Sequence, residues 1–121
     1  MILQCLEPVF CVCKIEAFPP DLWRTPYVFA AQTGEECSLV CPQEDVPAHT
    51  LAAEPGWRGL KVQGPLDFSL IGILAKLTAV LADAQVSVFA VSTFDTDYLF
   101  IRLPQWQTAL DALQKEGYRL A

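Results

Sequence analysis

Cysteines are the residues of this 121-residue chain whose type and spacing most directly suggest chemistry. Cys11 and Cys13 would share one face of a predicted strand, and Cys37 and Cys41 would share one face of another. Four thiolates can bind zinc, but structural zinc sites favour two to four residues, usually with a turn, between paired ligands. These pairs instead lie inside apolar strands, with one and three residues between their members. We therefore expect buried, reduced thiols in a cytoplasmic protein, with no metal site and no cofactor.

Catalytic patterns are not apparent elsewhere in the sequence. His49 is the single histidine, and it lies in a connector rich in proline and alanine with no nucleophile motif nearby. There is no glycine-rich phosphate loop with a Walker lysine, and no arginine stands in 67–72, where an acylphosphatase-like enzyme would need one. The aromatic stacking motif of an RNA-recognition domain is also missing. The sequence therefore predicts a protein that is not an enzyme.

Composition narrows the class of protein further. Hydrophobic residues make up 53% of the chain and charged residues 18%, so the chain as a whole is not disordered. The net charge of −6 argues against a duplex nucleic-acid binder and against an anionic membrane surface. No apolar run reaches the roughly 18 residues that a membrane helix needs. Because so few residues are charged, we expect some apolar surface to face a second copy in a homodimer.

The second half of the chain, residues 55–121, alternates between strand and helix patterns. After a strand from Trp57 to Gly64, Asp67 or Ser69 can cap a helix, and Leu70, Leu74, Leu77, Leu81 and Ala84 give that helix one apolar face. Strands follow at 86–94 and 98–103, then a helix from Pro104, a glycine cap at Gly117 and a short last strand at 118–121. The order is βαββαβ, which right-handed crossovers turn into a four-stranded antiparallel sheet with both helices on one face.

The first half, residues 1–54, contains short apolar runs and no convincing long helix, and Glu54-Pro55-Gly56 marks the break between the halves. Shifting the chain by about 60 residues superimposes Val28, Phe29, Ala30, Thr33 and Leu39 on Val88, Phe89, Ala90, Thr93 and Leu99. The alternative is chance similarity between two hydrophobic hairpins. The repeat predicts two hairpins of one type, the first within a degenerate copy whose helices are short or missing.

The second half resembles an ACT domain. The residues that carry the resemblance are Trp57-Arg58-Gly59-Leu60, Phe68-Ser69-Leu70-Ile71-Gly72, and above all the run from Val86 through Ser92-Thr93-Phe94-Asp95-Thr96-Asp97-Tyr98. More narrowly, the chain is similar to small stand-alone bacterial ACT proteins related to the CASTOR arginine sensors. The resemblance implies an α+β fold: a ferredoxin-like βαββαβ ACT domain at 55–121, packed with a degenerate N-terminal ACT-like half at 1–54.

The resemblance also implies a function and a site. ACT domains bind small ligands, usually amino acids, at domain interfaces and regulate something else, so a regulated partner protein is expected. Two bends would meet a zwitterion: free amides at a helix start suit its carboxylate, and acidic side chains suit its ammonium or guanidinium. The expected ligand-binding residues are Phe68, Ser69, Ile71, Gly72, Ser92, Thr93, Phe94, Asp95 and Asp97.

Most of these residues also have a purely structural interpretation. Asp95 and Asp97 can shape a hairpin turn, Gly72 can allow close helix packing, and Ser92 and Thr93 can be ordinary strand residues. Phe68 and Phe94 can belong to a core or an interface. The alternative function is a ligand-free dimerisation or protein-interaction module.

Overall fold

The computed structural model describes residues 1–63 and 71–121 of the chain. Their contacts divide the chain into two compact units, the first made of Met1–Glu7 with Arg58–Ala121 and the second of Pro8–Trp57. The sequence predicts a boundary between residues 54 and 55 that separates the two copies of the repeat, and this boundary stays a prediction. By compactness, the first seven residues group with the C-terminal half of the chain.

The elements of the described residues follow the predicted order in the second half of the chain. The strands are β1 (Ile2–Ile15), β2 (Phe29–Gln32), β3 (Cys37–Pro42), β4 (Ala52–Val62), β5 (Val88–Ser92), β6 (Asp97–Arg102) and β7 (Arg119–Leu120). The helices are α1 (Ile73–Asp83) and α2 (Trp106–Lys115). The series β4-α1-β5-β6-α2-β7 is the βαββαβ order, which confirms the predicted α+β fold class. Neither helix in the described part of the chain is long and apolar enough to span a membrane.

The core of the first unit lies between the sheet and the two helices. Leu77 and Leu81 of α1 are fully buried, with Leu74 and Ala84 packed at the margin of the same cluster, as the predicted apolar face requires. Leu70 and the predicted caps Asp67 and Ser69 lie outside the described residues. Strand and α2 residues complete the cluster: Leu3, Leu60, Val62, Leu99, Ile101, Ala109 and Leu113.

Both helices end in the same hydrogen-bonding pattern. Gly117, at φ 95°, follows α2, and the amide of Tyr118 donates to the carbonyl of Leu113 at 3.1 Å. This is a Schellman motif with the predicted glycine in the left-handed position. At the end of α1 the amide of Val86 donates to Leu81 O at 2.9 Å, but the left-handed residue is Gln85, at φ 61°.

The sheet of the first unit differs from the predicted four-stranded arrangement in one detail. In the described residues its order is β7-β1-β4-β6-β5, so β1 lies between β4 and the last strand. β7 pairs in parallel with β1, matching Ile2 with Arg119 and Leu3 with Leu120. The apolar alternation of Leu3 and Cys5 lets β1 cover the same core as the neighbouring strands, which no local pattern within 55–121 could reveal.

The second unit contains a hairpin of the same type as the hairpin in the first unit. Phe29 pairs with Val40 and Ala30 with Leu39 in β2 and β3, while Phe89 pairs with Phe100 and Ala90 with Leu99 in β5 and β6. The register is therefore identical after a shift of 60 residues, as the repeat predicts.

The repeat continues beyond the hairpins. A 3₁₀ turn at Gln43–Asp45 matches the one at Leu103–Gln105 after the same shift. Only the second of these turns runs on into an α-helix, since β4 begins at Ala52. The described first half thus has 3₁₀ turns where the second half has helices, in agreement with a degenerate copy.

Glu54-Pro55-Gly56 does not interrupt the chain as a break, because all three residues lie inside β4. Gly56 adopts φ 85°, which glycine reaches without a Cβ clash. The amide of Gly56 donates a hydrogen bond to Gln43 Oε1 at 3.0 Å. The indole of Trp57 donates to Glu54 O at 3.0 Å. One distant contact, with Gln43, and one local contact, with Glu54, accompany the passage of β4 through a sequence that is typical of a turn.

Candidate functional site

The second predicted bend joins β5 to β6 and is organised by its own hydroxyl groups. The amide of Thr93 donates to Thr96 O at 2.8 Å, and the Thr93 hydroxyl donates to the same carbonyl at 3.1 Å. Ser92 donates from Oγ to Asp97 Oδ1 at 2.5 Å across the first pair of the hairpin. Ser92, Thr93 and one oxygen of Asp97 therefore contribute to the shape of the bend, and Thr93 lies beyond the end of β5, not within a strand.

Charge and apolar surface remain exposed at this bend. Asp95 is exposed, and Asp97 is half-buried with Ser92 as the partner of its Oδ1. The side chain of Phe94 is 80% exposed. The bend thus presents carboxylates beside an aromatic ring, a combination that suits an organic cation.

Thr96 fastens this bend to the end of β4. Its side chain is buried, and its Oγ1 donates to Val62 O at 2.6 Å. This bond places the base of the second bend beside the end of β4, the strand that precedes the first predicted bend in the sequence.

The first predicted bend is described only in part. Phe68 and Ser69 lie outside the described residues. Ile71 is 96% exposed, and Gly72 precedes α1 at φ 78° while its carbonyl accepts the amide of Lys76 at 2.9 Å. Among the described residues, a Cβ on Gly72 would meet nothing within 4 Å, and the positive φ of Gly72 is a conformation that favours glycine.

Four of the five cysteines lie in the second unit, and three of these four are buried in its core. Cys11 lies opposite Cys41 in the β1–β3 pairing, and both are buried with Cys13, Leu22 and Leu39. Burial raises the pKa of Cys41 from near 9 to about 12, and the neighbouring thiols Cys13 and Cys11 and the carboxylate of Asp45 add to that rise. Within residues 1–63 and 71–121, no group of His, Cys, Asp and Glu is arranged to hold a metal ion.

A cleft that the sequence did not reveal lies at the ends of the two helices in the first unit. We call it the helix-end cleft; its volume is about 350 Å³, and its lining includes Ile71, Gly72, Lys76, Glu116, Gly117 and Tyr118. Burial raises the pKa of the Tyr118 phenol, and the adjacent Glu116 carboxylate raises it further. Lys76 and Glu116 are 40 positions apart in the sequence, so their presence in one cleft could be predicted only if the ends of both helices were known.

The family follows from comparison with known proteins. A family model described as an ACT domain matches residues 52–115, which is more than half of the chain. The chain belongs to the ACT domain family. No curated protein matches it in sequence.

Solved structures share the fold over almost the whole chain. Protein Atu0741 of Agrobacterium tumefaciens is 29% identical with a TM-score of 0.89, covering 99% of this chain and 91% of that one. VC0802 of Vibrio cholerae, described as a possible transport protein, is 17% identical with a TM-score of 0.73, covering 92% of this chain and 85% of that one. The regulatory subunit of aspartate kinase from Thermus thermophilus is 11% identical with a TM-score of 0.62, covering 95% and 96%. The last two likenesses concern the fold alone.

Proposed function

We propose that this protein is a non-enzymatic regulatory module that binds a small zwitterion, an amino acid by expectation, at its two bends. The observation that carries the proposal is the hydrogen bond from Thr96 to Val62, which holds the second bend beside the strand leading to the first. Membership of the ACT family supports a regulatory, ligand-binding role. Regulatory subunits of aspartate kinase share the fold.

The two bends offer opposite electrostatic environments. The amides at the start of α1 precede the first intrahelical hydrogen bond, which Lys76 donates to Gly72, and they suit a carboxylate. The carboxylates of Asp95 and Asp97 suit an ammonium or guanidinium group. Phe68, Ser69, Ile71 and Gly72 would surround the carboxylate end of the ligand, while Ser92, Thr93 and Phe94 would line the cationic end.

The narrower assignment is to small bacterial ACT proteins related to the CASTOR arginine sensors, and the Ser92–Asp97 motif supports it. We further propose a cytoplasmic homodimer whose response to ligand passes to a partner protein. A ligand that binds one assembly better than another shifts the population toward it, and that shift is the regulatory output.

A second candidate function is a ligand-free dimerisation module, favoured by the sheet edges. Both β2 and β5 stand at the ends of the strand orders of their own units, and neither carries a charged residue. Edge strands without charge or proline are suited to pairing with another chain.

Thermal-shift measurements with each of the twenty amino acids test the proposal. A rise in melting temperature with one amino acid, lost in Asp95→Ala and Asp97→Asn but kept in Asp83→Asn, supports the sensor. Asp83 is an exposed carboxylate at the last residue of α1, so it controls for net charge. No rise with any amino acid, with an intact dimer by light scattering, favours the assembly module instead.

A further inference from the structure

The second unit, Pro8–Trp57, carries most of the negative charge of the chain. Its sequence contains seven Asp and Glu residues against two Lys and Arg residues, which gives −5 of the total net charge of −6. The first unit contains seven acidic and six basic residues, a net charge of −1. This asymmetry favours the approach of a positively charged partner to the second unit and disfavours an acidic one.

Two clefts in the second unit adjoin each other and form one groove. The first has a volume of about 410 Å³ and the second of about 370 Å³, and Arg24, Thr25 and Asp45 line both of them. We call this pair the proline groove, because its lining includes five prolines: Pro8, Pro19, Pro26, Pro42 and Pro47. Proline has a fixed φ and no backbone N–H to donate, so these parts of the lining are apolar and stiff.

The proline groove is held in shape by the core of the second unit. Residues of two 3₁₀ turns, Leu22–Arg24 and Gln43–Asp45, line it, and the side chain of Leu22 is buried in that core. The ring of Tyr27, a further lining residue, packs edge-on against the fully buried Phe10, with 6.0 Å between the ring centroids. Such a preformed surface orders little on binding, which lowers the entropy cost of docking.

Carboxylates lie among the apolar walls of the proline groove. Asp21, Glu44 and Asp45 are exposed there, and Arg24 is the single base among the described lining residues. Lysine and arginine side chains combine an apolar stem with a charged head that only donates hydrogen bonds. The stems suit the proline rings and the ring of Tyr27, and the heads suit the carboxylates. The groove thus offers a separate surface to each part of a basic side chain.

We propose that the proline groove docks a basic segment of a partner protein, whose lysine or arginine side chains lie along the prolines and pair with Asp21, Glu44 and Asp45. Two adjoining clefts can receive two side chains of one segment, whereas a small cation would occupy only one of them. The inference goes beyond the function proposed above, because it requires neither of the two bends and no amino acid.

Charge changes in the groove should alter binding in opposite directions. Asp45→Asn removes an attractive contact and should weaken the binding of a basic peptide by about twofold to fivefold, the range for exposed ion pairs. Combining it with Asp21→Asn and Glu44→Gln should weaken binding by about tenfold or more. Arg24→Gln removes a repulsive neighbour and should strengthen binding by about twofold to fivefold.

NMR titration of the ¹⁵N-labelled full chain with short synthetic peptides tests the proposal. The peptides carry lysine or arginine at every second or every third position with alanine between them, and the same peptides with glutamine in place of each base are the blank. The amides of Arg24, Thr25 and Val46 report on the groove. The amides of Gly34 and Glu35 report on the loop between β2 and β3, an acidic position elsewhere in the same unit.

The matched control is a triple variant that combines Glu16→Gln, Glu35→Gln and Glu36→Gln. It removes three exposed carboxylates of the second unit that do not line the groove, so its change in net charge equals that of the triple groove variant. The supporting result is a set of shifts at the groove amides with a basic peptide and none with its glutamine blank. Binding should then weaken by about tenfold or more in the triple groove variant and by much less in the control.

Equal weakening in the two triple variants would mean attraction to net charge alone and would overturn the groove as a docking site. Weaker binding of a basic peptide to Arg24→Gln, or no shift at the groove amides with any of these peptides, would overturn it as well. None of these results changes the outcome of the amino-acid test above, which measures the melting temperature and concerns the two bends.

Discussion

Thr96 donates its side-chain hydroxyl to the carbonyl of Val62 at 2.6 Å, and both residues are buried. Their separation of 34 positions makes this bond a tertiary link between the tip of a hairpin and the end of another strand. The link means that the shape of the second bend depends on β4 as well as on its own turn.

Thr96→Val tests that link. Valine has nearly the same shape but no donor, so Val62 O would remain buried without its side-chain partner, and we expect a loss of about 1–3 kcal/mol of unfolding free energy. Urea denaturation measures the loss. Thr108→Val, at an exposed position of α2, is the control and should change stability little. Equal effects of the two substitutions would show that the link does not matter.

Arg58 joins three elements of the first unit. Its guanidinium lies 4.6 Å from the ring centroid of Trp106, and its Nε and Nη2 donate to Leu6 O at 3.0 and 2.9 Å. Lysine cannot reproduce a planar fork stacked on an indole, so Arg58→Lys should cost about 1–2 kcal/mol. Arg119→Lys, at an exposed position of β7, is the comparison in the same denaturation assay. A stability of Arg58→Lys equal to that of the parent would contradict this role.

Gln85 occupies a backbone conformation that favours glycine. Its φ of 61° completes the turn after α1, and its carbonyl accepts Gln105 Nε2 at 3.0 Å, a bond that glycine would keep. Gln85→Gly should therefore stabilise the chain by a few tenths to about 1 kcal/mol, measured as a shift in the urea midpoint. Gly117→Ala, at φ 95°, should destabilise it by roughly the same amount or more. A destabilised Gln85→Gly would mean that the glutamine side chain contributes a contact of its own.

The contrast between Gln85 and Gly117 shows what the sequence could and could not predict. Glycine at a helix end predicts a left-handed residue, and Gly117 confirmed this. Glutamine carries no such signal, because tertiary packing and the bonds of Gln105 impose its conformation. The face of α1 followed from apolar spacing, the second hairpin from its β-branched and aromatic residues, and the first hairpin from the repeat.

Features that depend on distant residues were not predictable in this way. The position of β1 beside β7 depends on pairing between the two ends of the chain, and next to Pro55 within β4 the amide of Gly56 donates to the distant Gln43. In the candidate site, the hairpin positions of Ser92 and Asp97 were predictable from the motif. The helix-end cleft was not predictable from the sequence. The positions of Lys76 near the start of α1 and of Glu116 at the end of α2 become clear only once both helix boundaries are known.

Buried thiols should make the free energy of unfolding depend on pH in the alkaline range. Burial raises the pKa of Cys41 to about 12, against about 9 in the unfolded chain, so the folded state keeps a proton that the unfolded state loses. Stability is therefore fully present below about pH 9 and declines as the pH rises from 9 toward 12.

Denaturation midpoints across that range measure the decline. Cys41→Ala should reduce the slope by up to about 1.4 kcal/mol per pH unit, the value for one proton. Cys37→Ala, at a half-buried position, is the matched control. Identical slopes in the parent and in Cys41→Ala would show that this thiol titrates equally in both states.

A crystal structure of the chain with the amino acid that raises its melting temperature most tests the central claim directly. We predict ligand density between the start of α1 at Gly72 and the carboxylate of Asp97, with the carboxylate of the ligand toward the helix and its cation toward the acid. Density at neither bend, in a crystal whose bends are open to solvent, would contradict the account.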